Sequence, residues 1–307
     1  MPPNTQTAAA PTIIRPGDQR VVDANGKITA FGTFLVESDR ASIQEDLGAI
    51  IGIYGKGGNG KTTLACSIAD RKLNPGGHDL PMGVLDSEAG IKSVAHLVGP
   101  DLQRIPIPTF GRLEEFVATW KATPKNTFPW RTLLLDNVSS YIQKVLRDQG
   151  FHGQSVPGGG RTSSEPDYNA MTTRITVCLQ DLKDLSLSYG VNLILMLWEY
   201  TEKTEAGLII GHRADVTPKL GIRIQGMLDF IGYLTVVNDP PRWTRKLDFS
   251  PNPELDSKVR SIQGEPASKI PLELYNPNMV DILNTIKRGV PFPTDKYRKP
   301  INTVTGR

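Results

Sequence analysis

Cysteine is almost absent: only Cys66 and Cys178 occur in 307 residues, and neither has a second Cys or a His at metal-ligand spacing. That leaves a disulfide framework and a zinc site without support, and both thiols are expected to be buried. The chain also lacks a run of eighteen apolar residues, and its first residues carry no basic, apolar, small-residue leader. A soluble, cytoplasmic protein without a membrane partner is the expectation. Net charge is low, +3, too little to announce a nucleic-acid binder by composition. Its distribution is uneven, however, because residues 258–307 hold nine Lys or Arg against four Asp or Glu, a local +5. Such an end could follow a phosphate backbone or could simply be solvated.

Length and a 38% hydrophobic share allow one large α/β domain with extensions, and there is no internal repeat. Residues 1–15 have no periodicity and read as a disordered leader. In residues 16–48, two apolar-alternating stretches flank Ala24-Asn25-Gly26-Lys27, and Asn-Gly is a strong signal for a β-hairpin extension. From residue 49 to 262, short apolar runs alternate with helical periodicity, which predicts a mainly parallel sheet covered by helices. Strands are expected at Ile50–Tyr54, Gly83–Asp86, Thr132–Asp136 and Asn192–Trp198, with further β-structure at Phe230–Val237 and Thr244–Phe249. The clearest helix follows Pro166, where Met171, Ile175, Cys178, Leu182 and Leu185 recur at steps of four and three before Gly190. Residues 263–307 read as a basic extension with a helix near Met279–Ile286 and a disordered end from Pro291.

The chemistry centres on Gly55-Lys56-Gly57-Gly58-Asn59-Gly60-Lys61-Thr62, a phosphate-binding P-loop between the apolar strand Ile50–Tyr54 and a helical stretch Lys61–Arg71. Its glycines let backbone N–H groups turn inward around phosphates, and the following helix terminus attracts anions. Gly55, Gly57, Gly58, Asn59, Gly60, Lys61, Thr62 and Thr63 are therefore the nucleotide-binding residues expected for ATP. Lys61 would reach the β- and γ-phosphates, and Thr62 would offer its hydroxyl to Mg2+. Asp136, at the end of Thr132-Leu133-Leu134-Leu135-Asp136, is the carboxylate expected on the same ion; a cap for the next helix would look alike in sequence. Val84-Leu85-Asp86-Ser87-Glu88 ends a second strand in two carboxylates. Glu88 is the candidate base for the attacking water and Asp86 its support, with an exposed acidic turn as the alternative.

Together, the P-loop, Leu85-Asp86-Ser87-Glu88-Ala89-Gly90, Leu133-Leu134-Leu135-Asp136-Asn137 and the strand Leu193–Trp198 followed by Glu199 resemble the RecA-like P-loop ATPases of bacteriophages. Some of these are implicated in single-strand annealing and recombination. In that family the second strand typically ends in Asp-Thr-Glu-Gly-Gly, here with Ser and Ala substituted. The resemblance implies a RecA-like α/β core and activation of water by Glu88. It further implies a γ-phosphate sensor at Glu199, although RecA has an amide there. Two mobile loops are implied to grip single-stranded DNA: Phe151–Glu165 with Arg161, and Tyr200–Leu220 with Lys203, His212, Arg213 and Lys219; neither has the aromatic interleaving of a stacking platform, and two ordinary surface loops are the alternative. Lys258 and Arg260 resemble the paired cations that such subunits project into a neighbour's ATP site, which implies a homo-oligomeric ring or filament; an ordinary charged strand is the alternative. Phage single-strand-binding or replication proteins would be further partners, in the bacterial host cytoplasm.

Two other readings stay open. Lys56 through Thr63 also fits the variant P-loop of ParA-like partition ATPases, with Lys56 as signature lysine, but their Asp-x-x-Pro is missing after the third strand, where Asp136 precedes Asn137, Val138 and Ser139. The third is a nucleotide-responsive protein-binding module with little turnover.

Overall fold

The computed structural model describes residues 12–13, 20–22, 28–31, 34–35, 48–148, 165–239, 242–259, 270–288 and 290–297. The chain forms two compact units, Met1–Asp46 and Leu47–Arg307.

In the first unit, β1 (Thr12–Ile13), β2 (Arg20–Val22), β3 (Ile28–Phe31) and β4 (Phe34–Leu35) form a four-stranded antiparallel sheet in sequential order. The strands flanking Asn25-Gly26 do pair, Val22 opposite Ile28 and Arg20 opposite Phe31, while the turn itself lies outside the described residues. Two things differ from expectation: the pair is widened by β1 and β4, and Thr12–Ile13, read as disordered leader, is a strand.

The second unit runs β5 (Ile50–Tyr54), α1 (Lys61–Cys66), β6 (Met82–Asp86), β7 (Leu102–Pro106), α2 (Phe110–Ala122), β8 (Thr132–Asp136), α3 (Val138–Asp148), α4 (Glu165–Tyr189) and β9 (Asn192–Leu197). It continues with β10 (Glu199–Lys203), β11 (Ile209–Ala214), α5 (Pro218–Met227), β12 (Phe230–Asp239), β13 (Arg242–Asp248), β14 (Lys258–Val259), β15 (Glu273–Tyr275) and α6 (Met279–Arg288). A nine-stranded sheet has the order β15-β13-β12-β5-β9-β8-β6-β7, with β14 also on β12. From β12 to β7 every neighbouring pair is parallel, and β13, β14 and β15 are antiparallel additions.

Both faces of this sheet are covered, which is why its central strands read as unbroken apolar runs. Alternate residues sort onto the two faces: Leu133, Leu135, Leu193 and Leu195 pack toward α2, α3 and α4, while Ile51, Ile53, Leu134 and Ile194 pack toward α1 and α6. At roughly 1.5–3 kcal/mol per fully buried large aliphatic side chain, these two layers hold the strands in register. Thr109 caps α2 by accepting from the Arg112 N–H, and Thr217 caps α5 with Pro218 in its first turn.

Three expectations are corrected. The helix expected over Lys61–Arg71 is α-helical only to Cys66 and ends in a 3-10 turn at Ser67–Ala69, because the Ser67 hydroxyl donates to Leu64 O (2.6 Å) and buried Asn74 donates to Ile68 O (2.8 Å). The stretch Tyr200–Leu220 is not a mobile loop: it is the β10–β11 hairpin, turning at Thr204–Gly207, and the start of α5. Residues 291–297, expected to be disordered, are packed down, with Phe292 and Tyr297 in the core beside α6 and Lys296 paired to Asp281 at 2.8 Å. No helix among the described residues is long and apolar enough to cross a membrane.

Candidate nucleotide-binding site

Because β5, β6, β8 and β9 are parallel, their carboxyl ends share one edge of the sheet, where open α/β folds bind ligands. The register sets Asp86 directly beside Asp136, and Tyr54, the residue before the P-loop, beside Leu197. Gly58 (φ 85°) and Gly60 (φ 89°) take the left-handed conformation that the loop needs to turn its amides inward. The loop is pinned to β12, where Asn59 Nδ2 donates to Leu234 O at 2.9 Å and a Cβ on Gly55 would stand 2.2 Å from that oxygen.

Lys61 lies within this loop, its Nζ donating to the carbonyls of Gly55 (2.6 Å) and Lys56 (3.0 Å). Burial lowers its pKa, opposed by the negative charges of Asp136, Glu199 and Glu88. Thr62 Oγ1 donates to Asp136 Oδ2 at 2.8 Å, and Thr63 follows on the same first turn of α1. Burial pushes the Asp136 carboxyl above its ordinary range; the Thr62 hydrogen bond and Lys61 oppose this, while Asp86 and Glu88 add to it.

Those donors fit magnesium. A phosphate-bound Mg2+ takes one or two carboxylate or hydroxyl ligands from the protein and keeps several waters, and Thr62 with Asp136 provides such a pair. Gly90 keeps the approach clear, since a Cβ there would lie 2.6 Å from Asp136 Oδ2. Among the described residues no group of three or more His, Cys, Asp or Glu side chains could enclose a metal ion by itself.

Asp86 and Glu88 divide their tasks. The enclosed Asp86 carboxylate accepts from Arg104 Nε (2.6 Å) on one oxygen and from the Glu88 (3.3 Å) and Gly90 (3.2 Å) amides on the other, so it shapes the turn that carries Glu88. Ala89 in that turn has φ 61°, a left-handed backbone at the position where the resembling family has glycine. Glu88 is exposed, and its Oε2 accepts from Asn137 Nδ2 at 2.8 Å. Asn137 in turn accepts the Ser140 N–H (2.7 Å) and so joins the start of α3 to the candidate base.

At the end of the neighbouring strand, Glu199 is fully enclosed, with Oε1 2.7 Å from His212 Nδ1 and 3.1 Å from the Thr201 hydroxyl. The His212 ring stacks on Tyr233 at 5.2 Å, and burial together with the Glu199 charge pushes the Tyr233 hydroxyl up to about 12. A carboxylate whose charge acts on Lys61 thus also grips the β10–β11 hairpin.

Comparison with known proteins adds a family. Residues 47–261 match the family described as an AAA domain. The chain belongs to that family. No curated protein matches. Among solved structures, the KaiC-like protein PH0186 of the hyperthermophilic archaeon Pyrococcus horikoshii OT3 is 15% identical, with a TM-score of 0.38, over 66% of this chain and 78% of that one. The AAA domain described here is an α/β protein with the mainly parallel, helix-covered sheet expected from its sequence, and the P-loop sits at the carboxyl edge of that sheet.

Within this AAA domain, Lys61, Thr62, Asp136, Glu88 and Glu199 converge, whereas the described DNA and inter-subunit residues, Lys203, Arg213, Lys219 and Lys258, lie elsewhere. Arg213 is held by Glu202 and Asp256, both at 3.3 Å, and by Pro253 O at 2.6 Å. Lys219 Nζ lies 3.3 Å from Asn169 Oδ1, and Lys203 is exposed at the end of β10. Lys258 Nζ donates to Gln225 O (2.8 Å) and Leu228 O (3.2 Å), the carbonyl end of α5 in its own chain. Arg161 and Arg260 lie outside the described residues. Lys56 is exposed on the P-loop. Sequence reading missed Arg104, and it quoted Gly90 and Asn137 within their motifs without giving either a role in the site. Asn137 stood next to Asp136, where its side-chain amide was a usable signal, whereas Arg104 sits on an edge strand without any.

Proposed function

We propose that this protein is a Mg2+-dependent ATPase of the RecA-like phage type that binds single-stranded DNA during recombination, annealing or replication, assembled as a ring or filament. The observation that carries the ATPase reading is the meeting of Lys61, the Thr62–Asp136 pair and an Asn137-held Glu88 at one sheet edge. In this reading Lys61 leaves the loop carbonyls for the β- and γ-phosphates, and the loop amides neutralise charge that builds on the transferring group. Glu88 takes a proton from the attacking water while Asn137 and the Asp86 turn hold its carboxylate. Bound magnesium, carried by Thr62 and Asp136, supplies charge neutralisation across the phosphates.

For DNA, the supporting feature is Glu199, whose charge acts on Lys61 through space and whose carboxylate binds His212 of the hairpin that carries Lys203. Lys203 and Lys219 serve as phosphate contacts, and Arg213 holds the hairpin's shape. A second reading, a nucleotide-gated protein binder, draws support from the exposed Leu208, Ile209 and Ile210 on the same hairpin. Fluorescence anisotropy with labelled oligonucleotides, over a salt series with ATP present, separates the two. Saturable single-strand binding whose salt dependence flattens in a Lys203→Ala, Lys219→Ala variant is the expected result. No saturable binding at low salt sinks the DNA reading and favours the protein binder.

A further inference from the structure

A nucleotide has a reacting end and a base end, and Lys61, Thr62, Asp136 and Glu88 suit the reacting end alone. On the β12 side of the P-loop, opposite the strands that carry Asp136 and Glu88, lies a cleft of about 540 Å³ lined by Gly57, Gly58, Asn59, Val236, Trp243 and Arg245. Its wall is made by the β12–β13 hairpin, which runs past the carboxyl end of β5: the β5 pairing stops at Tyr233 opposite Tyr54, whereas the β12–β13 pairing continues to Asp239 opposite Arg242. Trp243 and Arg245, two residues apart on β13, share a face, and Thr244 between them is buried on the other. Arg245 lies directly on the loop, its Nε donating to Asn59 O at 3.2 Å and standing 2.4 Å from where a Gly60 Cβ would be. Gly57 and Gly58 leave open space above them, with nothing within 4 Å of a Cβ built on either. Trp243, at 75% exposure, lines this opening.

Resting on the ATP-binding reading above, we infer that Trp243 is the platform on which the purine ring of the nucleotide stacks, with Arg245 as the cation beside the phosphates nearest the ribose. The triphosphate is threaded through the loop with its γ end at Lys61, Thr62 and Glu88, so ribose and base leave at the other end, over Gly57 and Gly58 toward the β13 wall. An indole face there covers a flat π-system, a contact that depends on ring area and tolerates different base edges. Arg245, anchored by its own main chain to Asn276 (N to Oδ1 3.1 Å, O to N 2.7 Å), adds positive potential and shields one side of the ring from water.

Isothermal titration of the full chain with ATP and, separately, with inorganic tripolyphosphate, each with Mg2+, tests this. Trp243→Ala is expected to weaken ATP about tenfold, since stacking on an aromatic side chain contributes on that order per base. Tripolyphosphate affinity should stay within about twofold, which also certifies the fold of the variant, and Trp243→Phe should keep most of the ATP affinity. ATP affinity unchanged in Trp243→Ala, or ATP and tripolyphosphate falling together, overturns the assignment while leaving the P-loop reading intact. A native protein that binds neither ligand overturns the P-loop reading and the assignment with it.

Discussion

Asp136 is a residue under opposing demands. Its carboxylate is buried beside Asp86 and Glu88, and its pKa is raised by that burial despite the Thr62 hydrogen bond and Lys61. An amide keeps an acceptor for Thr62 and removes the buried charge, so Asp136→Asn is expected to raise the melting temperature of the nucleotide-free protein, by the equivalent of about 1 kcal/mol, while abolishing the further stabilisation given by ATP with Mg2+. Thermal denaturation with and without the nucleotide reads both effects; a variant less stable than the native protein contradicts the reasoning. Ala89 is strained in a different way, holding φ 61° between Glu88 and Gly90. Replacing it by glycine relieves the clash of a Cβ in the left-handed region but frees the unfolded chain, and the balance favours Ala89→Gly by up to about 1 kcal/mol in denaturant unfolding. Asn137→Ala should separate function from binding: it releases Glu88 and one α3 cap, so turnover falls at least tenfold with ATP affinity within about twofold, measured by phosphate release and titration.

Among the elements, α5 and the β10–β11 hairpin carry the clearest lesson about what local sequence encodes. Lys258 binds the carbonyl end of α5 through two hydrogen bonds. Lys258→Ala should therefore lower stability by about 1–3 kcal/mol and leave turnover per folded molecule unchanged. If turnover falls instead, and is restored by mixing with Lys61→Ala chains, the trans-acting role implied by resemblance is correct. The strands β5, β8 and β9 were legible because strands buried on both faces must be apolar throughout, and the P-loop because its glycines are demanded by its own backbone. β10 was not: Glu199-Tyr200-Thr201-Glu202-Lys203 has no apolar alternation, and its pairing comes from β11 and from Glu199 binding His212. β7 is an edge strand in which Leu102 alone is fully buried, so its pattern reads as coil. Arg245 reaches the P-loop across 186 residues of chain, a proximity that no local pattern announces.

Across the whole second unit, the basic end of the sequence turns out to be partly a set of internal ties. Lys287 and Arg288 at the end of α6 pair with Asp79, just before β6, at 3.3 Å and 2.8 Å, and the Asp79 side chain is only 7% exposed. Burial alone would push the Asp79 carboxyl up, yet the two cations hold it below the ordinary carboxylate range. A carboxylate whose folded pKa is depressed stabilises the fold above its unfolded pKa of about 3.9 and loses that contribution as pH falls through the folded value. Chemical denaturation from pH 6 downward should thus show a loss of stability below about pH 4; in Asp79→Asn that part of the slope should disappear, and an unchanged slope would assign the acid sensitivity elsewhere. The same unit brings Lys61, Thr62, Asp136 and Glu88 to a single edge, and single-turnover phosphate release from ATP with Mg2+, at protein concentrations that saturate binding, tests that arrangement most directly. Native protein should release phosphate, Glu88→Gln should bind ATP yet release it at least about a hundredfold more slowly, and Lys61→Ala should release none; release by Glu88→Gln or Lys61→Ala at the native rate would contradict it.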